Sequence, residues 1–371
     1  MKRSIYTVLF FSLWVFSAGA KEVAFLGSFL DVPQGFEVIS VRDDSFIFSA
    51  PEESGFLEGK WYPKKSFKTV EEFAGSVMKD LKASGEGDGF SCSGREAYLS
   101  DVSFLAGGNQ FYGYAFFVGL QEYWVVLLAF TTEDLFDAMN PYLVSAIDSF
   151  SADGSDLLSP GPMSQYLYPF PGPETHEVKI QIGDKRISFL FDEKEIEVAR
   201  DVVERETKIM GGYDDSPVGI EAWKRFYRMV YRDNYGRIEL ISRRVASVLG
   251  GVEDKRLFAE RLLSWIQGFE YVQSGTLVIS PIETLLTARG DCDSRSLLYT
   301  IILRQMGFDA VLLVSLDYSH ALGAVDVPGS GARFGFEGKQ YVVAETTDKV
   351  GLGLIERSMA DPKGWIGVRL R

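Results

Sequence analysis

The sequence predicts an α+β chain of two domains, and three observations lead there. Its 371 residues suit two domains at roughly 100–200 residues each. A break rich in proline (Pro160, Pro162, Pro169, Pro171 and Pro173) falls at 151–176. Strand-like alternation and helix-like spacing occur on both sides of it. With 46% apolar residues, 28 Phe and 17 Tyr, both sides can bury a core, which excludes a disordered chain.

Residues 1–20 read as a leader. Lys2 and Arg3 precede an apolar run from Ile5 to Phe16 and the small residues Ala18-Gly19-Ala20, the pattern of a secretory signal and its cleavage site. The run is shorter than the roughly 20 apolar residues a bilayer span needs. No Cys follows it as a lipidation handle. The expectation is an exported protein, periplasmic or extracellular, whose mature chain starts at Lys21 and has no transmembrane segment.

Residues 21–150 form the first predicted domain. Strand-like runs at Gly35–Ser49 and Gly59–Tyr62 precede a helix over Val70–Ala83. Further strands are expected at Ala97–Phe104, Gln110–Gly119 and Glu122–Thr131. A closing helix from Thr132 to Phe150 carries Leu135, Phe136, Met139, Leu143, Ala146 and Phe150 at spacings of three to four. This order predicts an N-terminal α/β sandwich-like domain and resembles the PsbP-like sandwich. Nothing in it carries chemistry, since Cys92 has no His nearby in sequence, so it reads as a packing or docking module. The stretch 151–176 is expected to be a stiff, extended linker.

The second domain, 177–371, opens with a hairpin-like stretch, Val178–Phe191. Helices are expected at Pro217–Tyr235, Ile238–Leu249 and Asp254–Tyr271. Another begins at Asp291, a good N-cap, carries Leu297, Leu298, Ile301, Ile302 and Met306 on one face, and stops at Gly307. Cys292 then sits in the first turn, where free N–H groups and the helix dipole favour a thiolate, the nucleophilic form. Taken alone it is equally a buried structural cysteine. The polar Asp293-Ser294-Arg295 places it ahead of the apolar stripe.

Downstream, strands are expected at Ala310–Leu316, His320–Val327 and, after a turn at Glu337-Gly338-Lys339, Gln340–Thr347. His320, Leu322 and Ala324 share one strand face, as do Tyr341, Val343 and Glu345. His320 and Glu345 can thus emerge from one sheet face beneath the helix start. A cysteine nucleophile, an imidazole base and an orienting carboxylate are the three roles that acyl transfer requires.

Gly290-Asp291-Cys292, His320-Ala321 and Glu345-Thr346-Thr347, with the lead-in Trp265–Tyr271 and Pro281–Leu285, resemble the transglutaminase-like superfamily of papain-type cysteine enzymes. The resemblance covers residues 255–350 well and 177–254 loosely. It implies a papain-like domain with a catalytic helix packed on an antiparallel sheet. It also implies Cys292 as nucleophile, His320 as base and Glu345 as orienting group, acting on a protein or peptide substrate. Water or a primary amine can resolve the thioester, and hydrolysis is favoured. The family's usual third residue is Asp, and a Trp commonly stands where this chain has Leu322, so a reshaped groove is expected. The Cys292 N–H and the Gln267 side chain are the oxyanion candidates. The alternative is a non-catalytic binding module that keeps this fold.

A net charge of −14 excludes a nucleic-acid protein. Two Cys and one usable His lack zinc spacing, and Asp214-Asp215 and Asp233-Asn234 lack the calcium-loop register. No phosphate-loop or dinucleotide fingerprint occurs, so no cofactor or metal is expected. A Cys92–Cys292 disulfide, open to an exported chain, is not expected because the geometry is restrictive.

Overall fold

The structure, a computed structural model, describes residues 22–370; the expected leader and Lys21 lie outside the described residues. It is a mixed α+β architecture with several sheets. Strands β1 (Glu22–Phe25) and β2 (Ser28–Asp31) pair as a hairpin. Seven more strands follow, β3 (Glu37–Val41), β4 (Ser45–Ser49), β5 (Phe56–Pro63), β6 (Gly87–Cys92), β7 (Arg95–Ala106), β8 (Asn109–Gly119) and β9 (Tyr123–Thr132). They form one antiparallel sheet in the order β3-β4-β5-β9-β8-β7-β6.

Helix α1 (Val70–Leu81) covers one face, setting Phe73 against Phe117 and Trp124. Helix α2 (Phe136–Asp148) covers the other, setting Leu143 and Ile147 against Phe116 and Leu127. Along β8, Ala115 and Phe117 therefore meet α1 while Phe116 and Val118 meet the α2 side. A strand covered on both faces loses its polar alternation and reads as one apolar run.

The proline-rich stretch is not an extended linker. It contains helix α3 (Pro162–Leu167), with Met163, Ser164 and Gln165 buried. Pro162 takes the first helical position, where a missing N–H costs nothing. The buried Asp148 carboxylate accepts the next two N–H groups, of Met163 and Ser164, at 3.0 and 3.1 Å. Pro162, which cannot donate to a ladder, starts a helix instead.

The rest of the chain begins with the hairpin β10 (His176–Ile182) and β11 (Lys185–Phe191). Helices α4 (Lys194–Met210), α5 (Pro217–Val248), α6 (Lys255–Ile266), α7 (Pro281–Thr287) and α8 (Cys292–Gln305) follow. Then come β12 (Ala310–Ser315), β13 (His320–Val325), β14 (Arg333–Phe336), β15 (Lys339–Ala344) and β16 (Ile366–Val368), an antiparallel sheet in the order β14-β15-β13-β12-β16. Among the described residues no helix is long and apolar enough to cross a membrane.

The two expected helices at 217–249 are the single 32-residue α5. Gly236 does not break it: a Cβ there would stand 2.7 Å from Cζ of Phe170, so the glycine makes room for that ring. Arginines along α5 reach the N-terminal sheet's side of the molecule. Arg225 bonds the Asp31 carbonyl at 2.6 Å and Ser145 Oγ at 2.9 Å, Arg228 chelates the Asp31 carboxylate, and Arg232 bonds the Phe150 carbonyl.

Helix α8 differs from the one-faced helix expected. Every residue from Cys292 to Leu303 except Asp293 is buried, because α5, α6, α7 and the sheet surround it. The polar residues of its first turns are satisfied inside rather than solvated. Arg295 donates to the carbonyls of Gly290 at 2.8 Å and Phe269 at 2.7 Å, and the Ser294 hydroxyl donates to Asp291 at 2.6 Å.

Candidate active site

Cys292 opens α8, and Asp291 caps it by accepting the Ser294 N–H at 2.9 Å. One turn on, Ser296 Oγ contacts the Ala321 carbonyl at 3.1 Å and Thr346 Oγ1 at 2.9 Å. The helix start is thus fastened to the beginning of β13 and to the residues just past β15. A tight turn closed by Tyr318 N–H to Ser315 Oγ, with Ser319 at φ 48°, sets His320 opposite Ser315. β13 pairs with β15, which brings His320 and Glu345 to neighbouring strand ends.

There His320 Nε2 lies 2.8 Å from Glu345 Oε2. The other carboxylate oxygen accepts the Thr347 N–H at 2.8 Å and the Thr347 hydroxyl at 2.6 Å. The carboxylate is fixed from both sides, and Nδ1 is left as the ring nitrogen free to exchange a proton. The Cys292 sulfur lies under the Ala321 N–H, the residue after His320. Its partner on the other side is Asp293, with Oδ2 at 3.2 Å.

Burial lowers the His320 pKa, but the bond and charge of Glu345, with Asp293 and Asp348, outweigh it and leave the imidazole above its ordinary value. Burial raises Glu345, and His320 and Thr347 together bring it below the ordinary carboxylate value. Cys292 goes the other way from the thiolate expected at a helix start. Burial, then the charge and hydrogen bond of Asp293, hold the thiol well above its ordinary value despite the Ala321 N–H. The dipole favours the anion, and a carboxylate one residue on opposes it.

The parity expectation needs one correction. His320 and Glu345 share a face, but it is the one turned from α8. Leu322, Ala324, Tyr341 and Val343 pack there with Trp365, whereas Ala321, Val325, Val342 and Ala344 face the α8 core. The His320 ring contacts Trp365 edge-on on that face, with ring centroids 6.3 Å apart. Leu322 is buried in that second cluster and does not line a groove.

Gln267 is not placed as an oxyanion donor. Its amide nitrogen donates to the carbonyls of Glu345 at 2.8 Å and Val350 at 2.9 Å, which uses both hydrogens and clamps the strand end. The Cys292 N–H, in the first turn, has no intrahelical acceptor. Asp293, Tyr227 and Trp365 escaped the sequence reading as site residues. The Tyr227 hydroxyl donates to Asp293 Oδ1. Asp293 could have been suspected from its place beside the nucleophile; Tyr227 and Trp365 come from distant elements with no local signal. Both cysteines are free, and burial raises Cys92 to about 12. Among the described residues no group of three or more His, Cys, Asp or Glu side chains could hold a metal ion.

No family model and no curated protein matches the chain. Several solved structures are similar to it or to parts of it, among them these three. Cyanobacterial PsbP (CyanoP) from Synechocystis sp. PCC 6803 is 17% identical over 37% of this chain and 95% of its own, with a TM-score of 0.31. A protein of unknown function from Pseudomonas aeruginosa is 12% identical over 33% of this chain and 90% of its own, at 0.25. One from Bacteroides thetaiotaomicron VPI-5482 is 8% identical over 85% of each chain, also at 0.25. Similarities of this size leave the fold to be read from the chain's own topology.

Proposed function

We propose that the chain is an exported, transglutaminase-like cysteine enzyme of two domains that cleaves amide bonds in a protein or peptide through a thioester on Cys292. The observation that carries this reading is the 2.8 Å His320–Glu345 bond at strand ends fastened by Ser296 and Thr346 to the helix that begins with Cys292. His320 Nδ1 takes the thiol proton as the sulfur attacks the carbonyl carbon. The oxyanion is received by the Cys292 N–H. Nδ1 returns the proton to the departing amine, then deprotonates the water that hydrolyses the thioester. Glu345 holds the ring and stabilises its cation.

One observation favours a second reading, a binding module without turnover: the thiol is bonded to Asp293 and held in its protonated form. Alkylation with iodoacetamide, followed by mapping of the modified residue, separates the two. The enzyme reading expects Cys292 to be modified ahead of the buried Cys92 and to slow in His320→Ala. An inert Cys292, or a rate unchanged in His320→Ala, overturns it in favour of the binder.

A further inference from the structure

We propose that the pocket between α4, α5 and the β12–β13 turn is a subsite for a large apolar side chain of a peptide that carries basic residues beside it; in naming the substrate, this rests on the acyl-transfer reading. The pocket has a volume of about 330 Å³. That is the low end for small-molecule sites, and suits one side chain rather than a long ligand. Its walls include Met210, Ile220, Trp223, Leu277 and Leu316. Leu277 and Leu316 are 38% and 45% exposed, so an apolar occupant would remove their surface from water along with its own.

Two connections place the pocket beside the candidate site. Leu316 follows Ser315, the register partner of His320. Trp223 lies one turn of α5 before Tyr227, with ring centroids 6.0 Å apart, and the Tyr227 hydroxyl bonds Asp293 next to Cys292. The pocket wall is thus joined through Trp223 and Tyr227 to the carboxylate that holds the nucleophile. The charged groups lining the pocket are Asp214 and Asp215, both acidic and both exposed. Bonds from Ser216 hold the Asp214 carboxyl below its ordinary pKa, hence ionised at neutral pH. The mouth therefore favours cationic neighbours of the seated side chain.

The test is a binding titration on the full chain carrying Cys292→Ala, which cannot turn over, using acetyl-Lys-Phe-Lys-amide, acetyl-Lys-Gly-Lys-amide and acetyl-Glu-Phe-Glu-amide. Calorimetry should find the Lys-Phe-Lys peptide bound at least about tenfold more tightly than the Gly peptide, the scale of burying one aromatic side chain. It should also exceed the acidic peptide by about threefold or more, a margin that shrinks with added salt. Leu316→Asp, at a half-exposed turn position, should erase the Phe advantage. Asp214→Asn together with Asp215→Asn should erase the Lys advantage and leave that of Phe. Equal affinity for the Phe and Gly peptides, no binding of any, or a Phe preference that survives Leu316→Asp overturns the subsite. Because alkylation of Cys292 is read in the unmodified chain, a failed pocket and a failed enzyme give different results.

Discussion

Asp293 holds the Cys292 thiol directly, with Oδ2 3.2 Å from the sulfur, while its other oxygen accepts the Tyr227 hydroxyl. The residue beside the nucleophile is thus a half-buried carboxylate, braced from α5 and set against formation of a second negative charge.

Replacing that charge should free the thiolate. Asp293→Asn removes the like charge and keeps a group that can bond the sulfur. Alkylation of Cys292 at fixed pH near 7 should rise by at least about tenfold, with the rate profile moved to lower pH. A profile that coincides with that of the parent would show that Asp293 has no hold on the thiol.

The triad residues should be unequal. Cys292→Ser should abolish thioester formation, and His320→Ala should cost at least about 100-fold in turnover, the scale of acid–base catalysis. Glu345→Asp is the sharper probe. The longer side chain reaches His320 and Thr347 together, and an aspartate from the same backbone position gives up one of them. We expect it to be about tenfold slower than the parent, measured as kcat/KM on a common peptide; equal or faster turnover would mean that the extra methylene does nothing.

The His320–Glu345 pair predicts a window in pH. A raised His320 pKa stabilises the fold below its ordinary value of 6.5, and this is lost as pH rises through the folded value. A lowered Glu345 pKa stabilises above its ordinary value of 4.5, and this is lost as pH falls through the folded value. The Tm gap between the parent and Glu345→Gln should be widest between pH 4.5 and 6.5 and narrow on either side. Thermal melts from pH 4 to 9 check this, and a gap that widens toward pH 9 contradicts it.

Asp148 predicts the fate of the proline-rich stretch. Its carboxylate receives Arg205 at 2.7 Å as well as the α3 N–H groups. Asp148→Ala leaves the half-buried Arg205 with only its Glu206 partner and two N–H groups of α3 without their acceptor, with an expected cost of roughly 2–4 kcal/mol in denaturant unfolding. Limited proteolysis within 151–176 should be slow in the parent and fast in the variant. Equal rates would mean that the cap does not hold α3 in place.

What the sequence made legible was local. The Asp291 cap and the strand beginning at His320 followed from residues a few positions apart, and the β13–β15 neighbourhood of His320 and Glu345 from the order of short strands and turns between them. What it hid depended on distant partners. Gln267 has the look of a polar helix residue, yet its acceptors are at 345 and 350. Gly236 has the look of a helix end until Phe170 is placed beside it. Helix α4 was missed because its charges mask Val198, Val202 and Ile209, and three of its charged side chains, Arg205, Glu206 and Glu195, pair with Asp148, Arg225 and Arg237 across the fold.

The arginines of α5 bear on how firmly that helix is indexed. An apolar seam tolerates sliding, since one methyl group replaces another at little cost. Guanidinium forks at 225, 228 and 232, meshed with the Asp31 carbonyl and carboxylate and the Phe150 carbonyl, do not tolerate it. They act as the teeth of a comb and admit a single axial setting of the helix. Tyr227 sits between two of those teeth, so the groups that fix α5 against the first sheet also fix the height at which its hydroxyl meets Asp293.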